Sequence, residues 1–135
     1  MVIRRMIDKE KAGLYSPLVL AYIGDSVYEV FTRKKVLEKN QNLPAHKLHK
    51  ENVKYVKAKA QSDAMEKIEP ILTETELAIY KRGRNAKSGT VPKNADLVDY
   101  RRATGFETLI GFLELSEQHE RLLEIMEMAF DSKID

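Results

Sequence analysis

Residues 20–31, LAYIGDSVYEVF, place the strongest limit on the fold, because this almost wholly apolar stretch holds a Gly-Asp pair in its middle. Just upstream, Ser16-Pro17 supplies a helix N-cap followed by proline at the first helical position. Downstream, RKKVLEK puts cations where the dipole of a helix ends. The pattern predicts a helix from 17 to 39. On it Leu20, Ile23, Val27, Val30 and Phe31 form one stripe, and Leu18, Ala21, Tyr22, Asp25 and Glu29 form the opposite one. A helix that is apolar on two faces is buried on two sides, either inside a larger core or between its own core and a second subunit. Asp25 then lies near an interface, where an unpaired charge is costly.

The rest of the chain also reads as helix, giving an all-α fold. Pro44 starts a second helix, PAHKLHKENVKYVKAKAQSDAMEKIE, with Leu48, Val53, Val56, Ala60, Ala64 and Ile68 as its stripe and Pro70 beyond it. Its length invites a kink. Thr73 and Glu76 have capping-box spacing ahead of LAIYKR, a short helix that Gly83 is expected to end. The acid-free loop GRNAKSGTVPKN follows, then ADLVDYRRATGFETLIGFLEL, a helix that Asn94 is expected to cap, and last the amphipathic EQHERLLEIMEMAF. Five or six helices in 135 residues make one domain, residues 1–135, around one core.

Charge by itself names no partner: 23 Lys and Arg stand against 21 Asp and Glu, so a basic surface has to come from clustering. The absence of cysteine excludes disulfides and thiolate metal sites and fits a reducing, cytoplasmic setting. MVIRRMIDKEKAG has two arginines with no apolar run behind them, and LYSPLVLAYIG is too short to span a bilayer, so no membrane association is expected.

A second acid repeats the anomaly of the first. In RRATGFETLIGFL, Glu107 sits inside a glycine-containing apolar run, with Ala103, Thr104, Ile110 and Gly111 on its face. Gly105 and Gly111 inside a helix point to close backbone approach, since each costs about 1 kcal/mol relative to alanine. Two partly buried acids beside such glycines imply that two helices cross closely and bring the carboxylates together. Unpaired they would repel or protonate, whereas a hard divalent cation, Mg²⁺ above all, binds both and keeps several waters.

At these residues the chain resembles the ribonuclease III family. YIGDSVYEVF is similar to the family's signature helix and GFETLIGFL to its second motif, in the same order and at a similar separation. The short chain, together with RGRNAKSGTVPKNADLVDYRRATGFETLIG, resembles the single-domain bacterial branch, Mini-ribonuclease III, which lacks the double-stranded-RNA-binding domain. The resemblance implies the ribonuclease III endonuclease-domain fold in a homodimeric helical bundle, with signature helices paired across a two-fold axis. It further implies Mg²⁺-dependent endonucleolytic cleavage of double-stranded RNA, with precursor 23S ribosomal RNA as target and the need for a ribosomal protein cofactor left open. Asp25 and Glu107 fall on the catalytic, metal-holding positions. Two further acids of the wider family, one turn from each, are here Ala21 and Thr104, so the metal shell is thinner and one ion or two remains open.

Two cationic clusters are candidates for holding RNA. His46, Lys50, Lys54 and Lys57 follow one another along the second helix, with Lys47 beside them. Lys81, Arg82, Arg84, Lys87 and Lys93 lead through the loop to Arg101 and Arg102 on the helix of Glu107. Each has an alternative as solvated surface. Glu29 faces either the outer metal shell or solvent, and Tyr22 and Tyr28 are expected to pack. His46 and His49 lack a third ligand for a transition metal, and GRNAKSGT lacks the ending and the preceding strand of a phosphate loop. The rival from another class is a non-catalytic, basic helical RNA-binding protein acting in ribosome assembly.

Overall fold

The computed structural model describes residues 8–87 and 91–133. Both early arginines of MVIRRMIDKEKAG and residues 88–90 of the acid-free loop lie outside the described residues. Among those described there are six α-helices and no strand: α1 Pro17–Lys39, α2 Ala45–Val56, α3 Ala58–Ile68, α4 Glu74–Arg84, α5 Leu97–Leu115 and α6 His119–Asp131. Short 3-10 turns at Lys9–Leu14 and Glu69–Ile71 precede α1 and follow α3. No helix among the described residues is long and apolar enough to cross a membrane.

Local chemistry sets the helix starts. The Ser16 hydroxyl accepts from the Val19 N–H at 3.3 Å with Pro17 behind it. At α4 both halves of the capping box form, Glu76 N–H donating to Thr73 Oγ1 at 3.2 Å and Thr73 N–H to Glu76 Oε1 at 2.9 Å. Three boundaries differ from the sequence-based expectation. The long second helix is two helices, broken at Lys57, whose extended backbone (φ −64°, ψ 153°) ends α2 and opens α3. There the Val56 carbonyl accepts from Gln61 Nε2 at 3.1 Å. Gly83 does not end α4 but lies buried in its last turn, where a Cβ would stand 2.2 Å from Thr108 Oγ1. Asn94 does not cap α5; it turns the chain at φ 70°, and Asp96 is the cap, accepting from Asp99 N–H at 3.0 Å.

Helix α5 is the centre of the domain and packs against α1, α3, α4 and α6. Its Phe106, Leu109, Ile110 and Leu113 are fully buried. Tyr28 of α1 meets Phe106 edge-on at 4.9 Å, and Met65, Ile68, Tyr80 and Ile125 complete the core. The buried line of α1 runs through Leu20, Ala21, Gly24, Tyr28 and Thr32, not along the stripe expected from apolar spacing. Ile23, Val27 and Phe31 are only half-buried and Val30 is exposed. The physical reason is Gly24: with no side chain it is the deepest point of the α1–α5 contact, and the helix turns that side inward.

One buried ion pair ties α6 to the start of α4. Glu76 is 4 % exposed and accepts from Arg121 Nε at 2.9 Å and Nη2 at 2.8 Å, while Nη2 also donates to the Ile71 carbonyl at 3.0 Å. The Arg121 hydrogen bond holds the Glu76 carboxyl below its ordinary value. Arg121→Ala leaves a buried carboxylate unpaired and is expected to cost about 3 kcal/mol, read calorimetrically as a fall in Tm of roughly 10 °C. Because the folded pKa is depressed, this stabilisation is present above the ordinary glutamate pKa and is lost as pH falls through the lowered value. The gap between wild type and variant should therefore close in acid.

Candidate active site

The α1–α5 crossing carries the two acids. A Cβ on Gly24 would lie 1.8 Å from the carbonyl oxygen of Glu107, and one on Gly111 would lie 1.9 Å from that of Leu20. The helices are thus in backbone contact, and the buried Thr108 hydroxyl shares its one proton between the Thr104 carbonyl of its own helix at 2.7 Å and the Pro17 carbonyl across the crossing at 3.1 Å. Asp25 directly follows the first glycine, and Glu107 is the residue whose backbone that glycine touches. The crossing therefore sets their separation through main-chain contact.

The two carboxyl groups are near enough for the charge of Asp25 to act on Glu107. In the single chain Asp25 is exposed, more so than its apolar neighbours suggested, while Glu107 is half-buried. Glu107 is pushed up to about 8, first by loss of solvent and then by the negative charge of Asp25, with Glu29 adding to it. Glu29 does not simply face solvent. It is partly buried and accepts from Asn52 Nδ2 at 3.1 Å and from Arg33 Nε and Nη2 at 3.1 and 3.0 Å.

These donors fit a hard divalent cation. They are all oxygens, two are carboxylates that oppose each other's ionisation, and the Gln61 Oε1 acceptor beside Glu107 is buried without a partner. A cation at this place would favour both ionised carboxylates. No group of three or more acids or histidines converges among the described residues, so an ion here would keep most of its waters.

The cationic candidates fall into two sets. His46, Lys47 and Lys50 on α2 are exposed, as are Lys87, Lys93 and Arg101. Lys57 and Lys81 are exposed as well, whereas Lys54, Arg82, Arg84 and Arg102 have protein partners. Lys54 pairs with Glu51 at 3.0 Å, and the break at Lys57 ends the α2 stripe there. Arg82 does not stand free: Nη1 and Nη2 donate to the carbonyls of Gly13 and Tyr15 at 2.7 and 3.1 Å, fastening the first 3-10 turn to α4. Arg84 donates to Asn85 Oδ1 at 3.2 Å, and half-buried Arg102 lies 3.8 Å from Glu66. His46 and His49 are exposed, Tyr28 is buried, and Tyr22 is 75 % exposed.

Sequence reasoning missed Asn52, Gln61 and Thr108. Their signal was present: Gln61, Met65 and Ile68 share one helical face, so an amide occupies a position that the helix buries.

The ribonuclease III domain family matches residues 18–118. Mini-ribonuclease 3 of Clostridium tetani (strain Massachusetts / E88) is 52% identical over 123 residues, covering 91% of this chain and 82% of that protein. Mini-ribonuclease 3 of Thermoanaerobacter sp. (strain X514) is 50% identical over 125 residues, covering 92% and 87%. A crystal structure of a Fusobacterium nucleatum protein superposes with a TM-score of 0.79 at 32% identity, covering 89% of this chain and 95% of that one. With the family match running from the start of α1 past the end of α5, and so through both acids, this chain belongs to the ribonuclease III family of endoribonucleases.

Proposed function

We propose that the chain works as a homodimeric, Mg²⁺-dependent endoribonuclease on double-stranded RNA, with precursor 23S ribosomal RNA as its target. The observation that carries this reading is the meeting of Asp25 and Glu107 at a glycine-thinned helix crossing. Both carboxylates would hold the ion, which when bound supplies positive charge for a phosphate oxygen and lowers the pKa of water. His46, Lys47 and Lys50 on α2 and Lys87, Lys93 and Arg101 around the loop would grip phosphates on either side, a contact that recognises duplex shape and charge more than bases.

The dimer accounts for surface that the single chain leaves open. Leu14 and Tyr22 are 80 % and 75 % exposed, and Leu18, Val19 and Val30 also face outward on or beside the helix that carries Asp25. Such a run of apolar residues on one helix suits burial against a second copy. Covered in this way, exposed Asp25 would line the boundary between subunits.

The test uses the purified full chain with duplex RNA, with Mg²⁺ or with a chelator. Discrete shorter duplexes are expected with Mg²⁺ alone, from a species whose sedimentation mass is that of two chains. Retarded migration of intact RNA in both conditions would instead identify a non-catalytic RNA-binding protein.

A further inference from the structure

Helix α2 carries the exposed His46, Lys47 and Lys50, yet little apolar contact holds it in place. No side chain caps its N-terminus, and Asn52 is its one buried residue. At its C-terminal turn Tyr55 stacks on Phe130 of α6 at 4.1 Å, and Val56 packs on the core. Towards the N-terminus the contact opens into a cavity of about 260 Å³, walled by Val36 and Leu37 of α1 and by Ala45 and Leu48 of α2. Tyr55 and Val56 thus make a pivot, and apolar packing does not set the direction in which the cationic turns point.

Asn52 supplies the second fixed point. It is 1 % exposed, and its Nδ2 donates to Glu29 Oε1 of α1 at 3.1 Å. The same oxygen accepts from Arg33 Nε and Nη2, so Arg33, one turn on, braces the carboxylate that the amide meets. The Asn52 oxygen is buried with no partner, a cost that leucine, of similar size, would avoid. What the amide provides and leucine does not is a directional bond. Glu29 stands one turn beyond Asp25, about 6 Å along α1. Lys47 lies eight residues before Tyr55, so a tilt of about 20° at the pivot would carry it roughly 4 Å from its place, more than a hydrogen bond to a phosphate tolerates. We propose that Asn52 is a positioning residue for RNA: its bond to Glu29 fixes α2 against the helix of Asp25, so that phosphates held by Lys47 and Lys50 stand in register with the one at Asp25. This rests on the reading of the α2 cations as phosphate contacts.

The test is binding of duplex RNA by the full-length chain without divalent ion, measured over a range of salt. Each phosphate contact adds about 0.9 to the slope of log affinity against log salt. Lys47→Ala combined with Lys50→Ala is expected to lower that slope by about 2. Asn52→Leu, which removes the amide at similar size, is expected to lower it by about 1 to 2, with affinity down roughly 10-fold at physiological salt. Added to the double lysine variant, Asn52→Leu should lower the slope no further, because the contacts it acts through are gone. A wild-type slope in Asn52→Leu, whatever its Tm, would show that Asn52 only packs against α1, and would overturn the proposal. So would a loss that adds in full to that of the lysines. A double lysine variant with the wild-type slope would instead overturn the reading of α2 as a grip on RNA. Should Asn52→Leu fail to fold, Asn52→Ala is read in its place with the same fall in slope expected, since it removes the same donor and only enlarges the cavity.

Discussion

Asp25→Asn is expected to remain folded and to bind duplex RNA, yet to lose Mg²⁺-dependent cleavage by on the order of 10³-fold, the scale of losing one charge-stabilising group in an active site. Asp25 is exposed, so its replacement by an isosteric amide disturbs no core contact and should leave Tm within the small range typical of surface changes. The same change relieves the charge that opposes ionisation of Glu107. It also leaves Glu107 as the one carboxylate at the crossing, and a neutral amide is a weaker ligand for a hard cation. Cleavage assays and an RNA-binding titration without divalent ion separate the two effects. Cutting at the wild-type rate would remove Asp25 from the site.

Gly24→Ala should act on the fold and the site together. The added Cβ would stand 1.8 Å from the Glu107 carbonyl oxygen and 2.8 Å from the Gly111 nitrogen, both main-chain atoms that cannot swing aside as a side-chain tip would. The helices must separate by more than roughly an ångström to reach ordinary contact distance. The resulting loss of α1–α5 packing is expected to exceed about 3 kcal/mol, a fall in Tm of roughly 10 °C or more. Since the clash is with Glu107 itself, any folded fraction carries that acid out of place, and a shift of this size can cost about 10²-fold in rate. Thermal unfolding and a cleavage assay on the folded fraction check both parts. A variant near wild type in both would mean that the crossing does not fix the acids.

Two helix starts were legible because they are local, whereas the start of α5 was not, Asp96 capping it in place of Asn94. Ser16-Pro17 and the Thr73–Glu76 box need only the few residues around them, and both form as read. The break at Lys57 was not, since no proline or glycine marks it; it depends on where α3 packs and on the reach of Gln61. Gly83 was misread for a related reason. A glycine that ends a helix and one that admits a neighbour look alike in sequence, and contact with Thr108 and Gly105 makes it the second kind.

By itself the sequence determined the helical fold, the pairing of Asp25 with Glu107 and the family resemblance, because apolar spacing, caps and the two glycine-acid motifs are written in short runs of residues. Only the tertiary structure decided which side of α1 is buried, that Arg82 holds backbone carbonyls of the first turn, that the Asn52 amide of α2 reaches Glu29 of α1, and that the Gln61 amide bridges the break to the Val56 carbonyl. Those facts turn on contacts between residues far apart in the chain, where a missing side chain at Gly24 or a buried amide at Gln61 acquires meaning from what packs against it.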